Sequence, residues 1–465
     1  MTELWQLGAL ELAAKIRAKD VSSREVLEAH LSRVEQVNPH LNAIVRLLAD
    51  EARGAADAAD AATVAGTATG VFHGVPITVK ENIDLAGTPT TQGMPVFADA
   101  VASIDAPTVE RMRAAGAIPF ARTNLPDLGL RVHTDSSLHG LTRNPWNPNV
   151  TAGGSSGGEA SAISSGMSPL GLGNDIGGSL RNPAHCCGIA SLKPTVGVVP
   201  MATVIPPEDL MIAAQLMVVE GPMARQIADV RAAFQVLAGP HIRDPRSLPV
   251  ALTDLAPGQR VRVAVMAEPP GGRTDPGIAA GVQRAADVLA DAGHDVVDAT
   301  PPDYEEAMML WGALLLGDIR VQMPLLDMVM GTDAKLIMAA FDASGPAMGP
   351  TELLGLHARR FALMRSWSLF FAEHPILLSP TWALPAFAHG ADLSNPDMVL
   401  ETIRPVLPGN LLALPGAIVP TTIADGLPVG VQVMGDRFTD LRCLAIAAQI
   451  EAAVGRFTPI DPVKG

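Results

Sequence analysis

Short runs of β-branched and apolar residues, closed off by glycine and proline and separated by stretches of helical spacing, recur along this chain and restrict it to α/β architectures. Residues 74–79 and 118–121 read as two such strands. A strand at 261–266, a helix near 276–292 and a strand at 294–297 repeat the order, and runs at 376–379 and 429–434 precede a last helix. The first 60 residues look helical. Ser22 and Glu25 stand at capping-box spacing, Val26, Leu27, His30, Leu31 and Val34 recur at helical intervals, and an alanine-rich helix spans about 50–62. The expectation is a mixed, largely buried sheet in an α/β protein.

At about 100–200 residues per domain, 465 residues allow several domains or one large one. No repeat, charge block or linker-like tract divides the chain, so a single domain over 1–465 is expected, with 240–375 as its most variable, largely helical lobe and a return to the sheet over 376–465. Hydrophobic residues at 48% and charged ones at 17% exclude disorder. A net charge of −15 without a basic patch argues against nucleic acid and anionic lipid as partners. The longest apolar runs, such as 211–219, stop well short of the ~20 residues of a membrane span, and Glu3 stands where a signal peptide would be basic. The expected location is cytoplasmic. Three cysteines make no disulfide framework, and adjacent Cys186 and Cys187 read as small buried residues.

Three segments carry candidate chemistry. Gly153-Gly154-Ser155-Ser156-Gly157-Gly158 is six consecutive tiny residues, which let a backbone approach closely. A flexible linker would look similar, but an alanine-rich helical stretch, 159–165, follows at once. The same letters satisfy GxSxG, yet the prolines of Asn144-Pro145-Trp146-Asn147-Pro148 exclude the strand that a nucleophile elbow needs. The second segment is Asn174-Asp175-Ile176-Gly177-Gly178-Ser179-Leu180-Arg181, where two glycines before a serine free successive N–H groups to form an oxyanion hole; the alternative is a tight turn with an incidental serine. In the third, Gly74-Val75-Pro76-Ile77-Thr78-Val79-Lys80-Glu81-Asn82, a lysine ends a buried-looking strand. That is costly unless the lysine is neutral, well bonded or able to reach water.

Together with Thr123-Asn124, Arg143-Asn144-Pro145-Trp146, Pro169-Leu170-Gly171-Leu172-Gly173, Leu192-Lys193-Pro194-Thr195, 410–420 and Gly426-Leu427-Pro428-Val429-Gly430-Val431-Gln432, these segments closely resemble the amidase signature family. The likeness is dense over about 70–200 and thin over 240–375. It implies an α/β/α sandwich around a large twisted mixed β-sheet and a Ser–cis-Ser–Lys catalytic set. By position Ser179 is the nucleophile, Ser155 the bridging serine and Lys80 the base, with N–H groups of Ile176, Gly177, Gly178 and Ser179 as the oxyanion hole. Two departures stand out. Asn174 replaces the usual Thr or Ser before the aspartate, and Gly129, Leu130 and Arg131 sit in a segment that walls the substrate in relatives. Both are expected to lie away from the triad.

The implied reaction is hydrolysis of a carboxylic amide, or a close ester or carbamate, through an acyl-enzyme and without metal or cofactor. A serine needs a proton acceptor, and a lysine serves once desolvation brings its pKa towards neutrality. The histidines, His139 and His185 included, show no ligand spacing and read as structural. The alternatives are the glutamine-hydrolysing subunit of a tRNA-amidating complex and a non-catalytic scaffold, the latter disfavoured by the retained Lys80, Ser155 and Ser179. The partner is a small-molecule amide, and a homodimer is left open. The apolar stretch 307–316, with Met308, Met309 and Trp311, continued by Met323, Met328, Val329 and Met330, reads first as a core helix and only second as pocket lining, but with few charged groups there besides Asp318, Arg320 and Asp327 an apolar or aromatic substrate is expected either way.

Overall fold

The computed structural model describes residues 3–206, 208–345 and 348–463. Its strands are β1 (Ile44–Leu47), β2 (Pro76–Lys80), β3 (Ile118–Thr123), the short pair β4 (Asp135–Ser136) and β5 (Gly140–Leu141), β6 (Leu170–Asp175), β7 (Ala190–Lys193) and β8 (Val219–Ala224). The C-terminal half adds β9 (Arg262–Val265), β10 (Asp295–Asp298), β11 (Ile376–Pro380), β12 (Gly416–Ala424) and β13 (Leu427–Met434). Apart from β4 and β5, all join one sheet of 11 strands in the order β1-β3-β2-β6-β8-β7-β12-β13-β11-β9-β10. The sheet is mixed: β2 runs parallel to both β3 and β6, whereas β6–β8 and β12–β13 are antiparallel.

Both faces are covered, which is why the strands read as continuous apolar runs. Ile376 and Leu378 of β11 join one core and Leu377 the other, as strand alternation requires. On one face lie the helices Ala9–Ala18, Ile227–Leu237, Pro276–Asp291 and Asp440–Val454. On the other lie Gly157–Ser164, Arg181–Cys187, Tyr304–Val329 and Pro350–Glu373. This is the α/β/α sandwich expected above. The lobe at 240–375 contributes β9 and β10 to the sheet before its long helices begin.

Local signals are read with uneven success. Ser22 and Glu25 form the capping box of the helix Ser23–Leu41. Strand β1 lies inside the stretch that looks helical and escapes a sequence reading, because it has four residues and pairs antiparallel with β3 alone. The helix after the glycine run is Gly157–Ser164. Helix Tyr304–Val329 is long and apolar enough by length and composition to cross a membrane, contrary to the reading of apolar runs. In the fold it packs by Leu310, Leu314 and Ile319, and its buried Asp318 carboxylate accepts from the N–H groups of Ala213 and Ala214.

Candidate active site

Pairing of β2 with β6 assembles the site. Proline opens β2, where its missing N–H does no harm, and Ile77, Thr78 and Val79 favour the extended chain. Because β2 and β6 are parallel, with Thr78 opposite Gly171 and Val79 opposite Leu172, their C-terminal ends emerge at the same edge. Lys80 ends β2; Asn174 and Asp175 end β6. The carboxyl edge of such strands is where α/β proteins collect their ligands.

Lys80 is wholly buried, and its Nζ lies 2.7 Å from Ser155 Oγ and 2.7 Å from Asn174 Oδ1. Burial pushes the lysine pKa down to about 7, against the pull of Asp175, Glu159 and Glu220. The Gly154–Ser155 peptide is cis. A Cβ on Gly154 would stand 2.5 Å from the backbone nitrogen of His133, so the tiny residues do permit a close backbone approach rather than a flexible tether. Ser179 reaches the same place through the main chain: its carbonyl accepts from the N–H of Ser156 at 3.3 Å.

The turn after β6 is held from beneath. Asp175 accepts from the N–H groups of Gly178 and Leu180 and pairs with the buried guanidinium of Arg181, 3.0 Å away. Although burial favours its neutral form, Arg181 holds the Asp175 carboxyl well below the usual carboxylate range. Asn410 Nδ2 also donates to Asp175, and Gln432 Oε1 accepts from Arg181. This corrects one expectation: the Gly178 N–H is already engaged by Asp175 and is not a free donor, whereas Ile176, Gly177 and Ser179 line the cavity above.

That cavity is walled by Trp311, Leu315, Ile319, Ile337, Phe341 and Ile403, and Gly129 and Leu130 also line it. Ser179 lies on its lining; Gly178 does not. Trp311, Leu315 and Ile319 follow a four-residue spacing along the helix, so one stripe faces the cavity while Ala307, Leu310 and Leu314 pack in the core. The stretch thus both packs in the core and lines the cavity, although its methionines miss the cavity: Met309 and Met328 are exposed, and the lining methionine is Met338.

Two further expectations need correction. Asn174 is bonded directly to Lys80, and a Cβ on Gly129 would lie 3.1 Å from Ser155 Oγ, so both departures border the expected catalytic residues. Arg131 is buried at the cavity wall, where Nε and Nη2 hold the Asp392 carboxylate and Nη1 meets Asp333 at 3.0 Å. Sequence reasoning missed these partners, and it missed Glu159. That wholly buried carboxyl receives the hydroxyls of Thr78 and Thr123 under the sheet edge, and burial raises its pKa to about 7 despite them. His139 bonds Glu81, and His185 Nδ1 accepts from the N–H of Gly430. All three cysteines are free and buried.

A sandwich around a mixed 11-stranded sheet, with Lys80 and two serines of glycine-rich turns at its carboxyl edge, defines the class of amidase signature hydrolases. The Amidase family profile matches residues 25–444, and the chain belongs to that family. It is similar to an indoleacetamide hydrolase of Bradyrhizobium diazoefficiens, at 39% identity over 97% of this chain and 87% of the relative. A glutamyl-tRNA(Gln) amidotransferase component from Salinispora arenicola is 31% identical over 99% of both chains. Among solved structures, a bacterial aryl acylamidase of the amidase signature enzymes superposes with a TM-score of 0.85, at 27% identity and 97% of each chain. The chain is thus a hydrolase of carboxylic C–N amide bonds.

Proposed function

We propose that this enzyme hydrolyses small amides bearing an apolar or aromatic group, through an acyl-enzyme on Ser179. The observation that carries the reading is the apolar cavity opening onto Ser179, with Trp311 and Phe341 in its wall. The indoleacetamide hydrolase and aryl acylamidase relatives agree with it in the substrates their names give.

Ser179 Oγ attacks the amide carbon as its proton passes to Ser155 Oγ, whose own proton moves to the lone pair of Lys80 Nζ. The bond between Lys80 and Ser155 supports that route, and burial lowers the lysine pKa to about 7, so a large fraction is neutral at physiological pH. Charge gathering on the carbonyl oxygen is met by backbone N–H groups among Ile176, Gly177 and Ser179; in proteases one such donor is worth about 3–4 kcal/mol. The C–N bond breaks as the proton returns through Ser155 to the leaving nitrogen, and an ester on Ser179 remains. Water, deprotonated along the same path, attacks that ester and releases acid and free serine.

The test compares kcat/KM for indole-3-acetamide and an anilide with that for glutamine. The aryl substrates are expected to win by at least tenfold, about 1.4 kcal/mol of transition-state discrimination. A tenfold advantage for glutamine would overturn the reading in favour of a glutamine-hydrolysing amidotransferase.

A further inference from the structure

We propose that Asn174 is a positioning residue that aims the lone pair of Lys80 at Ser155, and that Asn82 sets which end of the Asn174 amide meets the lysine. The inference rests on the assignment of Lys80 as the base. A neutral Nζ carries two N–H bonds and one lone pair, and a free lysine tip can rotate among them. Two neighbours stand at 2.7 Å, Ser155 Oγ and Asn174 Oδ1. A hydroxyl can donate or accept, but an amide oxygen only accepts. One N–H is therefore committed to Asn174, and the remaining directions include the one towards Ser155.

This works only if the amide presents its oxygen. Asn174 Nδ2 donates to Asn82 Oδ1 at 2.9 Å, which turns Oδ1 towards Lys80. A flipped amide would offer an N–H to the lysine and occupy the lone pair that the reaction needs. The chain from Asn82 to Asn174 to Lys80 thus supplies orientation from the turn after β2 and the end of β6, 92 residues apart in sequence.

The choice of an amide rather than a carboxylate follows from charge. Lys80 already feels Asp175 at the end of β6, Glu159 of the helix Gly157–Ser164 and Glu220 of β8, all of which favour the ammonium. Arg122 of β3 donates to the Lys80 backbone carbonyl. A fourth carboxylate in direct contact would hold the proton on the lysine. The Asn174 oxygen bonds both the amine and the ammonium without net charge, so the proton moves on and off with the same partner in place.

The experiment measures kcat/KM against pH for the wild type, Asn174→Asp, Asn174→Leu, Asn174→Thr, Asn82→Leu and the double variant at 82 and 174, with melting curves for each. Asn174→Asp is expected to move the rising limb upward by a pH unit or more. Asn174→Leu is expected to lower the plateau at least tenfold, Asn174→Thr to recover most of that loss, and the double variant to be no worse than Asn174→Leu alone. A wild-type limb in Asn174→Asp, or a wild-type plateau in Asn174→Leu, overturns the proposal. Should Asn174→Leu fail to fold, the near-isosteric Asn174→Asp decides it alone. Lys80→Ala separates the two levels: if it stays active the base assignment fails, whereas if it is inactive while the Asn174 variants keep the wild-type profile, only the present proposal fails.

Discussion

Trp311 donates its indole N–H to the backbone carbonyl of Ile176 at 2.8 Å. The side chain that walls the cavity therefore also holds the turn that carries Ser179. The fit is close: a Cβ on Gly177 would meet the indole ring at 2.6 Å, so packing requires the glycine here. A trans peptide points the Ile176 C=O and the Gly177 N–H in opposite directions, and anchoring one fixes the other.

Trp311→Phe, which keeps a ring but removes the donor, should lower kcat about tenfold with little change in KM, because an unpaired carbonyl costs about 1–3 kcal/mol and loosens the turn. Trp311→Ala should also raise KM for aryl amides and lower the melting temperature. Steady-state kinetics on one aryl amide separates the two effects; a wild-type kcat in Trp311→Phe would show that the hydrogen bond is irrelevant.

Ser179→Ala should abolish turnover without unfolding the protein. Ser155→Ala and Lys80→Ala should each lose a thousandfold or more in kcat, and the double variant at 80 and 155 should be no worse than the poorer single. Costs that sum would speak against one shared proton path. Circular dichroism and melting curves establish that each variant is folded.

Activity should rise with pH along one limb centred near 7, since Lys80 must be neutral to accept a proton and burial brings it to about 7. Glu159 favours the ammonium, so Glu159→Gln should shift the limb to lower pH. The stability effect has its own sign. The Glu159 pKa is raised from 4.5 to about 7 on folding, so its contribution is fully present below about 4.5 and is lost as pH rises through 7. Melting temperatures across that window should therefore fall less in Glu159→Gln than in the wild type.

Gly129→Ala should cost at least tenfold in kcat/KM. Its φ is +68°, where a Cβ costs about 1–2 kcal/mol, and that Cβ would press on Ser155 Oγ from 3.1 Å. A small displacement of the bridging serine breaks the alignment with Lys80. Labelling of Ser179 by a fluorophosphonate should slow in parallel; unchanged labelling would place the effect in substrate binding instead.

Much of this protein is legible in its sequence because the information is local. Buried strands such as β2 and β11 announce themselves by composition, the capping box at Ser22 by a three-residue spacing, Lys80 as a lysine that ends a buried strand, and Ser155 and Ser179 by tiny-residue turns that few other structures need. In the C-terminal half, β9, β10, β11 and β13 followed from the same strand–helix alternation, whereas β12 was not among the strands read. What stayed hidden depends on partners remote in the chain. The parallel register of β2 and β6 puts Asn174 against Lys80, 94 residues away, and the wrap of the chain puts Arg131 against Asp392, 261 residues away. Neither pairing leaves a local pattern, because a polar side chain is the same letter whether it is solvated or buried against a partner. The helix Tyr304–Val329 makes the same point for the cavity. Its apolar residues run nearly all the way round, so composition shows only that it packs, and the neighbouring elements decide that Trp311, Leu315 and Ile319 are the stripe that faces Ser179.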